Sequence, residues 1–256
     1  ILRSNFDARF NNSGNLQYYT PKISSSEKNQ MARAESKMIM GYLPIEERHY
    51  PALLSLVAPA TPAVRLLDPF AGEGAFLAAA AQAWNVMPYA NELDGERAAQ
   101  CLARFGPTQA VRCDVERLVA SNNAFGLLWA NPPYDHDKAA QGSKRVEFAY
   151  LRHAWKWAQD GAVVLWCVYH QHITAEAAAF LAKHSRTADV WALPGKHLSE
   201  YDQVVVVAIK GEQPNPGALY AEIMAGKAAP RPLVVQPAPV YSAPPPRALQ
   251  RFVFTA

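Results

Sequence analysis

From about residue 62 the chain alternates apolar runs of strand length with stretches whose apolar positions recur every three or four residues. "AVRLLD" (63–68) has the pattern of a strand and "GAFLAAAAQAW" (74–84) that of a helix. "VMPYA" (86–90) and "DGERAAQCLARF" (94–105) repeat the pair. "QAVRC" (109–113) and "FGLLWA" (125–130) predict two more strands. A helix over "KRVEFAYLRHAWKWAQ" (144–159) and a strand over "AVVLWCVY" (162–169) come next. Thr174 stands as the N-cap of a helix over "AEAAAFLAKH" (175–184), and strands over "ADVWAL" (188–193) and "QVVVVAIK" (203–210) close the series. The strands are apolar throughout rather than at every second position, as burial on both faces of a sheet requires. The expected fold is therefore α/β and doubly wound, with a Rossmann-like, mostly parallel sheet. Its last two strands lack a helix between them, so one antiparallel strand is expected near the C-terminal end.

Outside this rhythm the composition changes. Residues 1–30 are polar, rich in Asn and Ser, and predict a flexible arm or leader. Residues 31–211 form the expected domain, and residues 212–256 turn to Pro and Ala, as a polyproline-type tail or linker would. The longest apolar runs, "GAVVLWCV" and "VVVVAI", fall well short of the roughly 20 residues that cross a bilayer, so no membrane partner is expected. Cys101, Cys113 and Cys167 are odd in number and widely spaced, which suits reduced thiols in a cytoplasmic protein. The formal charge of +3 arises in the tails, because residues 31–220 carry 17 Lys+Arg against 19 Asp+Glu. A polyanion would have to be met by a local patch, and Lys138, Lys144, Arg145, Arg152 and Lys156 supply one. The histidines of "YHQH" (169–172) have no carboxylate or thiol at ligand spacing, so no metal is expected.

The chemistry gathers at strand ends. "LLDPFAGEGAF" places Asp68, Pro69, Gly72 and Gly74 at a strand-to-helix turn, where glycines let the backbone turn tightly and approach a ligand. A dinucleotide fingerprint would want glycine at 77, where Leu77 stands, and would not want a carboxylate beside a pyrophosphate. Asp68 suits a ligand with a positive group, such as the α-ammonium of S-adenosylmethionine (AdoMet). Glu92, 24 residues further on and followed by Leu93, ends the second strand, where a carboxylate accepts from ribose hydroxyls; Asp114 ends the third, within reach of an adenine amino group. The fourth strand delivers Asn131-Pro132-Pro133-Tyr134 to the same edge. A planar nitrogen is a weak nucleophile because its lone pair is spread into the π system. Two acceptors on its N–H protons, the Asn131 side-chain oxygen and the Pro132 carbonyl, would localise that pair for attack on a sulfonium methyl. Tyr134 offers a face for stacking.

"DPFAGEGAF", "NELD", "CD" and "NPPY", in this order over residues 36–211, resemble the class I AdoMet-dependent amino-methyltransferases, most of all the γ-type N6-adenine DNA methyltransferases. "GYLPIEERHYPALLSLV" (41–57) is similar to the family's N-terminal cofactor motif, which would put Tyr42 and Pro44 beside AdoMet. "GNLQYYTPKI" (14–23) carries the motif's Thr-Pro but lies about twice as far upstream as expected. The resemblance implies AdoMet as cofactor and an adenine of DNA as substrate, in restriction-modification or phage defence, with a specificity or defence-system protein as a further expected partner. Adenine of ribosomal RNA and a glutamine amide of a protein are alternative acceptors, and a catalytically idle AdoMet-fold subunit is a third reading. Two departures stand out. The family's second aromatic, on the loop after the sixth strand, is missing from "LPGKHLSEYDQ", leaving His197 or Tyr201 to serve. Most γ enzymes also carry a sizeable recognition domain after the catalytic one, where this sequence is expected to offer only the Pro-rich tail.

Overall fold

The computed structural model describes residues 7–10, 16–19, 43–59, 61–134, 146–193 and 203–254. Within the first unit of the chain (Ile1–Ile39), β1 (Asp7–Phe10) and β2 (Leu16–Tyr19) pair antiparallel, where sequence composition predicts only a flexible arm.

The second unit (Met40–Ala256) opens with a short helix, α1 (Tyr50–Ser55), and β3 (Val57–Pro59). Then come β4 (Arg65–Asp68), α2 (Ala75–Trp84), β5 (Met87–Glu92), α3 (Gly95–Phe105), β6 (Ala110–Arg112) and β7 (Leu118–Ala120). They are followed by β8 (Phe125–Ala130), α4 (Val146–Ala154), β9 (Ala158–Tyr169), α5 (Ala175–His184), β10 (Ser185–Ala192) and β11 (Gln203–Lys210). The chain closes with α6 (Pro216–Ala228), β12 (Arg231–Pro232), β13 (Tyr241–Ala243) and β14 (Phe252–Phe254).

Eight strands form the central sheet in the order β12-β10-β11-β9-β8-β4-β5-β6. Every pairing in it is parallel except those of β11, which runs antiparallel to both β9 and β10. The α/β, mostly parallel architecture and the one reversed strand near the C-terminal end are as the pattern predicts. Consecutive side chains enter two separate cores. Leu66, Leu127, Val163 and Val205 pack on one side of the sheet, and Leu67, Leu128, Val164 and Val206 on the other. A strand with both faces covered admits few polar side chains along its length, and those must be hydrogen-bonded, so polar groups collect towards its ends.

Two expectations need correction. The helix predicted to run to residue 159 stops at Ala154, and Ala158 already pairs with Phe125 in the sheet. The carbonyls of Trp155 and Ala158 instead accept from the Lys210 ammonium, at 2.9 and 2.6 Å, which satisfies the helix end from a neighbouring strand. The Pro- and Ala-rich stretch after residue 211 is no tail. Pro216 opens α6, Asn215 caps it by accepting from the Ala218 amide, and Leu219 and Ile223 are buried in the core beside α5 and β10. Beyond it β13 pairs with β3 and β14 with β7, and the Tyr241 hydroxyl donates to Asp189 while accepting from the Trp191 indole. Proline-rich composition marks this segment's lack of long strands, not a lack of packing.

If α6 is an integral part of the core, Ile223→Ala should lower unfolding free energy by about 2–5 kcal/mol. Urea titration of the variant checks this; a midpoint unchanged from the wild type would mean that the segment does not contribute to the core.

Candidate functional site

The turn between β4 and α2 is built around left-handed glycines. Gly72 has φ 57° and Gly74 φ 74°, and a Cβ on Gly74 would come within 2.8 Å of the Phe105 ring, so both backbone and space demand glycine there. The turn is tied to the end of β5 by three hydrogen bonds. The Gly72 amide donates to Glu92 Oε2 at 2.8 Å, the Asn91 side chain donates to the Pro69 carbonyl at 3.1 Å, and the Ala71 amide donates to the Asn91 carbonyl at 2.9 Å. The other Glu92 oxygen accepts from the Asp94 amide at 2.9 Å and from the Arg97 guanidinium at 3.1 Å. Asp94 then caps α3 by accepting from the Glu96 and Arg97 amides. One buried carboxylate thus fixes the loop after β4, the end of β5 and the start of α3.

Asp68 closes β4 and is 2% exposed. The Phe70 amide donates to it at 3.0 Å. Burial holds its carboxyl well above the ordinary carboxylate range, the Glu92 charge pushes the same way, and only the Phe70 amide opposes them. Among the described residues no side-chain cation pairs with it.

These strand ends enclose two cavities. The larger, about 580 Å³ with its open mouth included, is lined among others by Pro69, Glu92, Leu93, Asp114, Asn131 and Pro133. The smaller, about 330 Å³ on the same measure, is lined by Pro44, Asp68, Ala71, Phe76, Trp129 and Asn131, among others. Phe70 and Asn131 border both. Leu93 is 46% exposed at the larger cavity, and Asp114, also exposed, accepts from the Glu116 amide at 2.9 Å.

Asn131 follows β8. Its Nδ2 donates to the Leu43 carbonyl at 2.8 Å. A carbonyl only accepts, so this bond sets which end of the amide is nitrogen and turns Oδ1 the other way. The Tyr134 hydroxyl lies 3.3 Å from that oxygen. The Tyr134 ring packs at 4.4 Å and 34° against Tyr169, and its hydroxyl accepts from Gln203 Nε2 at 2.8 Å. Burial keeps this phenol protonated far beyond its ordinary range.

The structure thus gathers Pro44, Asp68, Pro69, Glu92, Leu93, Asp114, Asn131 and Pro133 around two adjoining cavities, with Gly72 and Gly74 shaping the turn and Pro132 buried beside them. Tyr42, Lys138, Lys144, Arg145, His197 and Tyr201 lie outside the described residues. Of the basic stretch, Arg152 sits 3.9 Å from Glu176 and Lys156 lies over the Trp157 ring. His172 does meet a carboxylate, Glu147, at 3.3 Å, a partner 25 residues away that local spacing does not show. Sequence reasoning also missed Arg97, Tyr169 and Gln203. Only the polar head of the otherwise apolar "QVVVVAIK" could have pointed to Gln203.

The fold is shared with known proteins. A Listeria monocytogenes protein described as a class I S-adenosylmethionine-dependent methyltransferase superposes with a TM-score of 0.53 at 13% identity, over 81% of this chain and 80% of that one. The type I restriction-modification methyltransferase subunit from Streptococcus thermophilus gives 0.51 at 16% identity, over 74% of this chain and 53% of that one. The type I restriction enzyme EcoKI M protein gives 0.51 at 15%, over 73% and 48%. The chain therefore spans about half the length of either restriction-system protein. No curated protein sequence matches it. A family model does, over residues 10–236, running through α6 and on past β12. On this match the chain belongs to the uncharacterised methyltransferase family DUF6094.

Proposed function

We propose that the chain transfers the methyl group of AdoMet to the N6 amino group of adenine in DNA. The observation that carries this reading is the Asn131 amide, whose nitrogen is committed to the Leu43 carbonyl and whose oxygen, beside the Tyr134 hydroxyl, keeps a second lone pair to accept at the cavity wall. The two restriction-system proteins of similar fold agree with DNA as the substrate.

The cavities fit the cofactor. Asp68 is a buried carboxyl with one backbone donor and, among the described residues, no side-chain cation, which suits an α-ammonium in the smaller cavity. Glu92 and Asp114 line the larger one, where hydroxyls and an amino group would find acceptors. When bound, AdoMet supplies a methyl group on a sulfonium, which is electrophilic without help from the protein. The chain's own residues prepare the nucleophile. Asn131 Oδ1 and the Pro132 carbonyl accept the two amino protons, which draws the nitrogen lone pair out of the ring. The ring of Pro132 fixes its φ and the following Pro133 restricts its ψ, so the Pro132 carbonyl has little freedom to turn. Tyr134 packs its ring against Tyr169, and on this reading a planar substrate stacks on the tyrosine. An adenine within a duplex would have to be flipped out to reach Asn131.

Methyl-labelled AdoMet incubated with duplex DNA, ribosomal RNA and protein in parallel tests the substrate. The reading expects label in DNA, on adenine; label in RNA or protein alone would overturn it.

Asn131→Ala should reduce methyl transfer by roughly a hundredfold or more, far beyond any loss of AdoMet affinity, as loss of a preorganised acceptor does. Single-turnover kinetics and calorimetry separate the two effects. Glu92→Ala should weaken AdoMet binding about tenfold or more, since it removes charge-assisted acceptors; an unchanged Kd would exclude Glu92 from the site.

A third outcome concerns pH. The raised pKa of Asp68 means that the ligand-free protein holds this proton above the ordinary carboxylate range. An ammonium favours the ionised form, so binding drives the proton off. AdoMet affinity should therefore rise with pH from the ordinary carboxylate range up to the raised value, then level. Asp68→Asn should bind more weakly and without that slope. Titration calorimetry across pH, in two buffers of different ionisation heat, measures both the slope and the released proton.

A further inference from the structure

The antiparallel register of β9 and β11 sets Tyr169 opposite Gln203 and Cys167 opposite Val205. Side chains alternate along a strand, so Cys167 and Tyr169 point to one face and Gln203 stands beside them. All three reach a tyrosine delivered by a different strand. Tyr169 packs on the Tyr134 ring, Gln203 Nε2 donates to its hydroxyl at 2.8 Å, and Cys167 Sγ lies 3.6 Å from that hydroxyl.

The Tyr134 hydroxyl has one proton to place. Its oxygen already accepts from Gln203, leaving two neighbours as acceptors: Asn131 Oδ1 at 3.3 Å and Cys167 Sγ at 3.6 Å. A carboxamide oxygen is the better acceptor, because a thiol sulfur accepts weakly. Burial pushes the Cys167 thiol up to about 12, so it remains a neutral thiol and offers no thiolate to compete. The phenol proton therefore faces Asn131. The Asn131 amide is then held at both ends, by the Leu43 carbonyl at its nitrogen and by Tyr134 at its oxygen. Its oxygen keeps a second lone pair for an incoming N–H.

We infer that Gln203 is a positioning residue acting through Tyr134: by donating to the phenol oxygen it turns the phenol proton onto Asn131 Oδ1 and so orients that oxygen towards the substrate amine. The inference rests on the reading of Asn131 as the acceptor for the amine that is methylated. It also accounts for an amide at the head of a strand whose next five residues, Val204 to Ala208, are all buried and apolar.

Gln203→Glu keeps the shape and changes the chemistry, because a carboxylate only accepts. It would draw the phenol proton to itself and away from Asn131. In the full chain labelled with 15N-asparagine, the Asn131 side-chain amide pair is identified by its loss in Asn131→Asp. The expected result is that Gln203→Glu shifts this pair, and that the shift reverses as the pH falls and the introduced carboxyl takes up a proton. Tyr134→Phe should shift the same pair and abolish its response to Gln203→Glu, since two changes acting through one hydroxyl are not additive. Should Gln203→Glu fail to fold, Gln203→Leu must shift the pair, and must cease to do so when Tyr134 is Phe. An Asn131 pair unmoved by either Gln203 variant, or moved equally with and without the Tyr134 hydroxyl, would overturn the inference.

Transfer of labelled methyl from AdoMet to a duplex oligonucleotide containing adenine supplies the functional arm. There Gln203→Glu should lower kcat roughly tenfold at the alkaline end, recover towards acid, and leave KM for AdoMet in place. A change in thermal stability with kcat intact would reduce Gln203 to a packing role. Absence of transfer by the wild-type chain to DNA, RNA or protein would defeat the proposed function, while the resonance coupling would still decide whether Gln203 acts on Asn131.

Discussion

A sheet covered on both faces leaves a polar side chain few places to go except towards the ends of its strands. In this protein that constraint organises the rest. β8 is buried at every residue from Phe125 to Ala130, and the first polar group it reaches is Asn131. β4 ends in Asp68, β5 in Glu92 and β9 in Tyr169, all at the same carboxyl edge. Parallel strands bring these ends side by side, and short turns into helices line the edge with backbone amides. The chemical groups therefore converge as a consequence of burial.

The convergence is held by few bonds of high leverage. Glu92 joins a loop, a strand end and a helix start through one carboxylate, and its burial makes each of those hydrogen bonds stronger than at the surface. Asn131 fixes the segment around Leu43 to the end of β8 through a bond spanning 88 residues of chain. That span explains why Pro44 joins Asp68 in one cavity although sequence separates them by 24 residues.

Much of this could be read from the chain, and the reasons differ by element. The order of strands and helices follows from apolar runs and periodicity, and β11 matches its pattern from Gln203 to Lys210. Asp68, Glu92, Asp114 and Asn131 are legible because each directly ends or follows an apolar run. α4 is shorter than its pattern because the competing partner is non-local: the sheet claims Ala158, and Lys210 supplies the donor at the helix end. α6 was hidden by composition, since Pro and Ala around it suggest a tail although Leu219 and Ile223 are spaced to share one helical face. Tyr169 and Gln203 could not be tied to Tyr134 from sequence. Their meeting depends on the register between β9 and β11, which no local pattern sets.

The buried carboxyl of Asp68 has a consequence for the lifetime of the protein. This carboxyl is buried only in the folded chain, so a ligand that brings a positive charge to it and drives off its proton binds the folded chain and not the unfolded one. At a ligand concentration one hundred times its Kd, mass action adds about 2.7 kcal/mol to unfolding. Transient opening, the step that exposes a chain to proteases, would become about a hundredfold rarer. Ligand supply would then set how long each molecule survives as well as how often it turns over.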